Sequence, residues 1–260
     1  MRNRIIQLIC FSTAVLMLFT ACEKNELKTT EVNKLTANEA QVKVMFASFY
    51  RSNPRIYIKV NDKIVSSVLT TFTPFPGGGL NTGGGSTADY LRVAAGQNNF
   101  SVAVPKFGTS VDSLPLANVQ YTVTAGKKYS LYFADTSANT TSLLVEDSLV
   151  APDSGYVVYK FVNMMPDVAA GLDLYIGTTK VASAIPYKGV SPSFILPTNN
   201  ASTVWAIRAT GGTTNLVTYT SAASLSNQRV FTVMARGYNA ITSTSTAEPR
   251  RRLISLIYNQ

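Results

Sequence analysis

A chain of 260 residues without a single histidine excludes several chemistries at once. It has no Ser-His-Asp triad, no Cys-His pair and none of the usual zinc, copper or non-haem iron ligand sets. The formal charge of +9 raises the question of anionic partners, but the tight basic cluster is Arg250-Arg251-Arg252, which reads as a solvated edge beside a strand.

In chain order, Met1-Arg2-Asn3-Arg4 precedes an apolar run from Ile5 to Phe19. Two Arg before an apolar stretch of this length is a signal-peptide pattern, and the run is short for a membrane-spanning helix. It ends Leu18-Phe19-Thr20-Ala21-Cys22, which resembles the bacterial lipobox, with Phe19 as a bulky departure. What that resemblance implies is cleavage before Cys22 and acylation of the cysteine thiol and amine. A plain secretory signal and an uncleaved anchor are the alternatives. Several acyl chains hold firmly, since each buried CH₂ contributes about 0.8 kcal/mol. Glu23 and Glu26 follow without an Asp directly after Cys22, so an outer-membrane address is expected, at the cell surface or the periplasmic face. That location argues against nucleic acid as a partner.

Cys10 leaves with the signal, residues 1–21, and Cys22 carries lipid, so the mature chain is expected to rest on an apolar core rather than on disulfides. Residues 22–39 are polar and lack aromatics, which reads as a flexible tether. From Gln41 the texture changes. Val42, Val44 and Phe46 alternate with Lys43 and Met45; Ile56, Ile58 and Val60 alternate with Tyr57 and Lys59; Phe100, Val102 and Val104 alternate with Ser101 and Ala103. This period of two, without long helical stretches, predicts an all-β protein built of antiparallel β-sandwiches.

The order of segments recurs. IYIKVNDKIVSS (56–67) parallels LYIGTTKVASA (174–184), NNFSVAVPKFGTS (98–110) parallels STVWAIRATGGTT (202–214), and TAGKKYSLYFADT (124–136) parallels SNQRVFTVMARGY (226–238). Asn61-Asp62 and Gly177-Thr178 supply the left-handed positions of tight hairpins. The reading is a tandem duplication, with sandwich repeats at 40–150 and 154–260. Pro152-Asp153-Ser154-Gly155 is the turn cluster between them, and so short a linker lets the two touch.

LLVEDSLVAPDSGYVVYKFVNMMPDVAAGLDLYIGTTKVAS (143–183) resembles the domain of unknown function 4397, common in Bacteroidota envelope lipoproteins. The likeness rests on Glu146-Asp147, Pro152 and Gly155, Lys160-Phe161-Val162-Asn163, Pro166-Asp167 and Asp173-Leu174-Tyr175. In the first copy, Ala47-Ser48-Phe49-Tyr50 stands in place of the expected Asn-x-x-Pro-Asp stretch. The resemblance implies a transthyretin- or immunoglobulin-like sandwich on an exported protein, and neither an activity nor a cofactor.

Candidate site residues are few. PFPGGGLNTGGGSTADY (74–90) lacks the Lys-Ser or Lys-Thr of a phosphate loop and reads as a long mobile hairpin, or as a ligand-contacting loop. Glu146, Asp147, Asp167 and Asp173 lie near the joint in sequence; turn and surface roles are expected, with calcium or a glycosidase pair if they converge. Trp205, in phase with Ile207, reads as core. Tyr50 and Tyr187 sit in turn-like stretches and are the exposed aromatic candidates for ligand contact. The function expected is non-catalytic: binding, adhesion or assembly of envelope components, with a glycan or an envelope protein as partner. An accessory carbohydrate-binding role in nutrient uptake comes next, and a glycosidase last.

Overall fold

The computed structural model describes residues 37–47, 50–70, 72–106, 108–109, 111–147 and 149–260. The signal sequence, Cys22 and the tether up to residue 36 lie outside the described residues. The first half of the chain contributes β1 (Glu39–Phe46), β2 (Arg55–Val60), β3 (Lys63–Ile64), β4 (Leu69–Thr70), β5 (Pro74–Phe75), β6 (Gly79–Leu80), β7 (Leu91–Ala94), β8 (Gly96–Pro105), β9 (Asp112–Val123), β10 (Lys128–Ala134) and β11 (Thr141–Glu146). The second contributes β12 (Tyr156–Asn163), β13 (Leu172–Ile176), β14 (Thr179–Ile185), β15 (Phe194–Pro197), β16 (Val204–Ala209), β17 (Val217–Thr220), β18 (Val230–Arg236) and β19 (Leu253–Tyr258). Short 3₁₀ turns at Ser137–Asn139 and Ala222–Leu225 are the helical segments among the described residues.

The all-β class expected from the alternation is what forms. In each half two sheets face each other. The inner faces of β1 and β10 bury Val42, Val44, Phe46, Leu131 and Phe133 against Ile56, Ile58, Phe100 and Val102 of β2 and β8. In the second half Val157, Tyr159, Phe161 and Phe231 of β12 and β18 pack on Leu174, Ile176, Trp205 and Ile207 of β13 and β16. Such alternation, apolar side inward, is what lets a strand bury half its residues.

The strand order repeats. One half runs β11-β10-β1, with β7 also beside β1, over β3-β2-β8-β9. The other runs β19-β18-β12-β15 over β14-β13-β16-β17. Among the described residues, pairing is antiparallel with one exception in each half: β1 lies parallel to β10, and β12 parallel to β18. The intervening strands of the opposite sheet serve as the crossover that a parallel pair requires. The predicted left-handed hairpin residues are also in place, at φ 49° for Asn61, 64° for Asp62 and 57° for Gly177.

The expected border between 40–150 and 154–260 divides strand sets, not contact units: the described residues group as one unit. A third core explains this. Met45, Tyr132 and Val145, on the outer faces of β1, β10 and β11, pack on Val162, Met234 and Ile257 of β12, β18 and β19. The sheet of one half thus lies against the sheet of the other, and among the described residues the sheets stack in four layers.

The glycine-rich insertion is a correction to the mobile-hairpin reading. Its strand β6 pairs with β19, Leu80 opposite Leu256 and Gly79 opposite Ile257, so a segment of the first half completes a sheet of the second. Glycine is required for that approach: a Cβ on Gly79 would lie 1.9 Å from the Leu256 carbonyl oxygen, and one on Gly78 would lie 2.1 Å from that of Gly85. Asn81 then fastens the segment. Its carbonyl accepts from Ser255 Oγ at 2.7 Å and from Arg236 Nη2 at 3.1 Å, while its Nδ2 donates to the Ile254 carbonyl at 2.5 Å.

Candidate functional site

A cleft of about 330 Å³ opens at one end of the seam between the halves. Tyr50, Arg51, Asp135 and Thr136 come from the first half; Tyr238, Ala240, Ile241 and Arg250 come from the second. Tyr50 follows β1 and stacks on Phe46 with ring centroids 6.3 Å apart and an interplanar angle of 11°. Its hydroxyl accepts the Ser137 N–H at 3.2 Å. Asp135 follows β10 in a left-handed conformation (φ 58°) and accepts the Thr136 N–H at 2.8 Å and the Tyr238 hydroxyl at 3.0 Å. Tyr238 is placed by Gly237, where a Cβ would lie 2.1 Å from the Arg251 carbonyl oxygen. Burial pushes the Tyr238 phenol up to about 12, so it stays a neutral donor.

The Arg250 guanidinium grips Glu248 through Nε and Nη2, each at 2.9 Å, and its hydrogen bonds hold that carboxyl down to about 2. A bidentate fork of this kind fixes the plane of the guanidinium. Arg51 is exposed at the rim. Two phenol rings, one fixed guanidinium plane with a second guanidinium at the rim, and a hydroxyl-bearing loop suit a ring-shaped polar ligand or the side chains of a partner protein.

The sequence candidates fall in different places. Tyr50 lines this cleft. Tyr187 does not: it packs on the core between the halves, and its hydroxyl is buried without a hydrogen-bond partner among the described residues. Burial raises its pKa. The four carboxylates fall in separate settings, so they do not form the shared calcium site considered for them. Glu146 pairs with Lys127 at 2.6 Å at the surface. Asp147 is buried against Lys160. Asp167 accepts the N–H groups of Asn239 and Ala240 at 2.7 and 2.8 Å, so it holds a loop distant in sequence and not the turn after Pro166 that was expected. Asp173, expected on an exposed face, is buried instead; it meets Lys180 at 2.8 Å and the Ala184 N–H at 2.8 Å. Burial acts to raise its pKa, and these hydrogen bonds outweigh it and hold the carboxyl below its ordinary value. Among the described residues no group of three or more His, Cys, Asp or Glu is placed to hold a metal ion.

Trp205 is core, as its phase indicated: it is fully buried and its indole N–H donates to Ser224 Oγ at 2.9 Å. The basic cluster is half-exposed directly before β19, as read, and its guanidinium groups are also engaged. Arg250 holds Glu248, Arg251 donates to the carbonyls of Thr246 and Glu248 at 3.2 Å each, and Arg252 donates to Asn239 Oδ1 at 3.0 Å.

Sequence reasoning missed a buried polar network in the seam. Asp147 accepts from Lys160, from Ser130 Oγ at 2.6 Å and from the Tyr90 hydroxyl at 2.9 Å. Lys160 also donates to the Glu146 carbonyl at 3.2 Å. Lys43 donates to the Tyr258 carbonyl and lies 4.5 Å from the Tyr90 ring centroid. Asn259 donates to the Tyr90 oxygen at 2.9 Å and accepts from Thr232 at 2.8 Å. Burial lowers the Lys43 ammonium to about 8 even though Asp147 opposes the shift. The available signal was a Lys at the centre of each of two apolar strands, in Val42-Lys43-Val44 and Tyr159-Lys160-Phe161.

The sequence model of a protein family described as "Domain of unknown function (DUF4397)" matches residues 40–170. The match takes in the first half and runs through β12 to the Pro166-Asp167 turn, so it centres on the half in which the residues had shown the weaker likeness. No curated protein matches the chain.

Proposed function

We propose that this chain, which belongs to the domain of unknown function 4397 family, is a non-catalytic binding protein of the cell envelope, held to the outer membrane by lipid on Cys22. The observation that carries the binding role is the cleft walled by Tyr50 and Tyr238, to which both halves contribute. The position of Tyr50 adds weight. In the second half Asp167 caps the N–H of Asn239; in the first half Tyr50 takes the corresponding N–H of Ser137. A compact cap is thus replaced by an aromatic wall, which a structural turn does not need.

Support for a non-catalytic role comes from the acids: Asp147, Asp173 and Glu248 are each neutralised by a cation, and Asp167 is spent on backbone donors. The phenol rings favour a glycan as ligand, since a sugar's apolar face stacks on an aromatic one. The test is a glycan array probed with protein lacking residues 1–22. Saturable binding to one glycan class, lost in Tyr50→Ala and Tyr238→Ala but kept in Tyr187→Phe, supports the cleft as a glycan site. A blank array directs the cleft to an envelope protein. Binding that survives both alanine changes removes the cleft from consideration. The anchor is tested separately: Cys22→Ser is expected to release the protein from membranes and abolish lipid labelling, and continued membrane fractionation overturns that assignment.

A further inference from the structure

The residue pairs across the seam are not arbitrary. Aligning the halves by their parallel strands places Lys43, opposite Ser130, on Lys160, opposite Thr232. The adjoining ladders then place Val145 on Ile257, because Ser130 faces Val145 and Thr232 faces Ile257. Continuing along those strands, Glu146 falls on Tyr258 and Asp147 on Asn259. The apolar seam obeys the same alignment: Met45 corresponds to Val162 and Tyr132 to Met234, and all of these lie in the core between the halves.

The contacts are reciprocal in the same sense. Lys160 of the second half reaches the Glu146 carbonyl of the first; Lys43 of the first half reaches the Tyr258 carbonyl of the second. Ser130 donates to Asp147 within its own half, and Thr232 donates to Asn259 within its own. The Tyr90 hydroxyl stands between the two poles, donating to Asp147 and accepting from Asn259. When residue i meets j and the equivalent of j meets the equivalent of i, the interface has the form of a two-fold dimer contact.

We propose that the seam is a self-recognising face, and that the chain is a covalently fused pair of like units that bind each other without need of the linker. The partner that this face fits is the equivalent face of the other half. Its symmetry is broken at one pole, where an amide replaces the carboxylate, and by the insertion, whose β6 covers β19. The linker is built for separation from the interface: Val150 is 76% exposed and Asp153 and Ser154 are exposed.

The experiment uses the whole mature chain with a protease recognition sequence inserted between Val150 and Ser154. After cutting, the halves are expected to co-elute in gel filtration, and to re-form the complex after denaturation and dilution. Halves that part in buffer without denaturant overturn the proposal. A charge swap tests the symmetry itself. Asp147→Asn is expected to lower the denaturation midpoint, and the added Asn259→Asp moves the carboxylate to the equivalent pole, one residue past the Tyr258 carbonyl that Lys43 engages. Recovery of about half or more of the lost midpoint is the expected result, because coupled residues fail additivity. A double variant no better than Asp147→Asn overturns the equivalence of the poles, whatever the fragments do.

Discussion

The two outer cores and the seam are held by different physics. Inside the second half, Tyr159 lies 5.0 Å from Trp205, 5.4 Å from Phe194 and 5.8 Å from Phe231, ring centroid to centroid, in an apolar cluster. The seam also buries apolar residues, but it carries Lys43, Asp147, Lys160, Ser130 and Thr232 among them, each at most 6% exposed. Apolar burial is non-directional and suffices to collapse a sandwich. Buried charge is costly unless every donor meets an acceptor. The outer cores therefore supply stability to each half, and the seam network specifies which faces meet and in what register.

The comparison is broken most severely from the apolar side. Trp205→Ala deletes the largest fully buried side chain, and such a truncation costs about 3–5 kcal/mol. It also removes the donor to Ser224 Oγ, which keeps only its own donation to the Ser221 carbonyl at 2.7 Å. Urea denaturation followed by far-UV circular dichroism measures this, since the protein has no other tryptophan to report by fluorescence. A loss under about 1 kcal/mol contradicts the assignment of this cluster as the stabilising core.

The seam responds next. Asp147→Asn leaves the Lys160 ammonium buried without its counter-ion, an arrangement that costs about 3 kcal/mol. The sharper form is the pair Asp147→Leu with Lys160→Met, which removes both charges and is expected to fall within about 1 kcal/mol of the wild type in the same denaturation series. A double variant as unstable as Asp147→Asn places the destabilisation in lost packing and not in the unpaired charge.

A third change bears on the insertion that bridges the two halves. Gly79→Val puts carbon atoms where the Leu256 carbonyl oxygen already stands. Overpacking of this kind costs about 1–3 kcal/mol, and β6 is expected to leave β19. Limited proteolysis between residues 77 and 90 then quickens in the variant. Unchanged protection of that segment means that Asn81 and its partners, rather than the close approach at Gly79, seat the insertion.

These regions also differ in how well the residues announced them. The outer cores were legible, because Val42-Val44-Phe46 and Ile56-Ile58-Val60 alternate along single strands and alternation is local. The parallel pairing of β1 with β10 was not, because register between strands far apart in sequence leaves no local trace. The insertion misled for a related reason. Glycines 77 to 79 have the composition of a mobile loop, yet the demand on them is a backbone approach that only the fold reveals. Lys43 alternates with Val42 and Val44 as the solvent side of a half-buried strand would, and the opposing sheet, supplied by the other half, buries it. Tyr50 was legible as a departure from the family pattern, whereas Tyr187 shared its turn-like setting and turned inward to the seam.

The smallest expected effect separates the two kinds of core by pH. Burial lowers the Lys43 pKa from 10.5 to about 8. Below pH 8 the ammonium is charged in the folded and the unfolded chain, and its desolvation cost is fully present. Between pH 8 and 10.5 the unfolded chain binds the additional proton, so stability rises with pH across that window. From pH 8 to 9.5 the gain is about 1–2 kcal/mol at a single site. Above pH 10 the tyrosines oppose it: burial raises Tyr90 and Tyr132, so the unfolded chain releases those protons first and stability falls. Lys43→Met keeps the apolar stem, removes the charge and is expected to change stability at pH 7 by less than about 1 kcal/mol. It is also expected to flatten the rise between pH 8 and 9.5, measured by urea denaturation at both values. Tyr159→Phe in the outer core leaves Lys43 in place and is expected to keep the rise. A Lys43→Met protein that keeps the full rise transfers it to another buried base and removes Lys43 from the electrostatics of the seam.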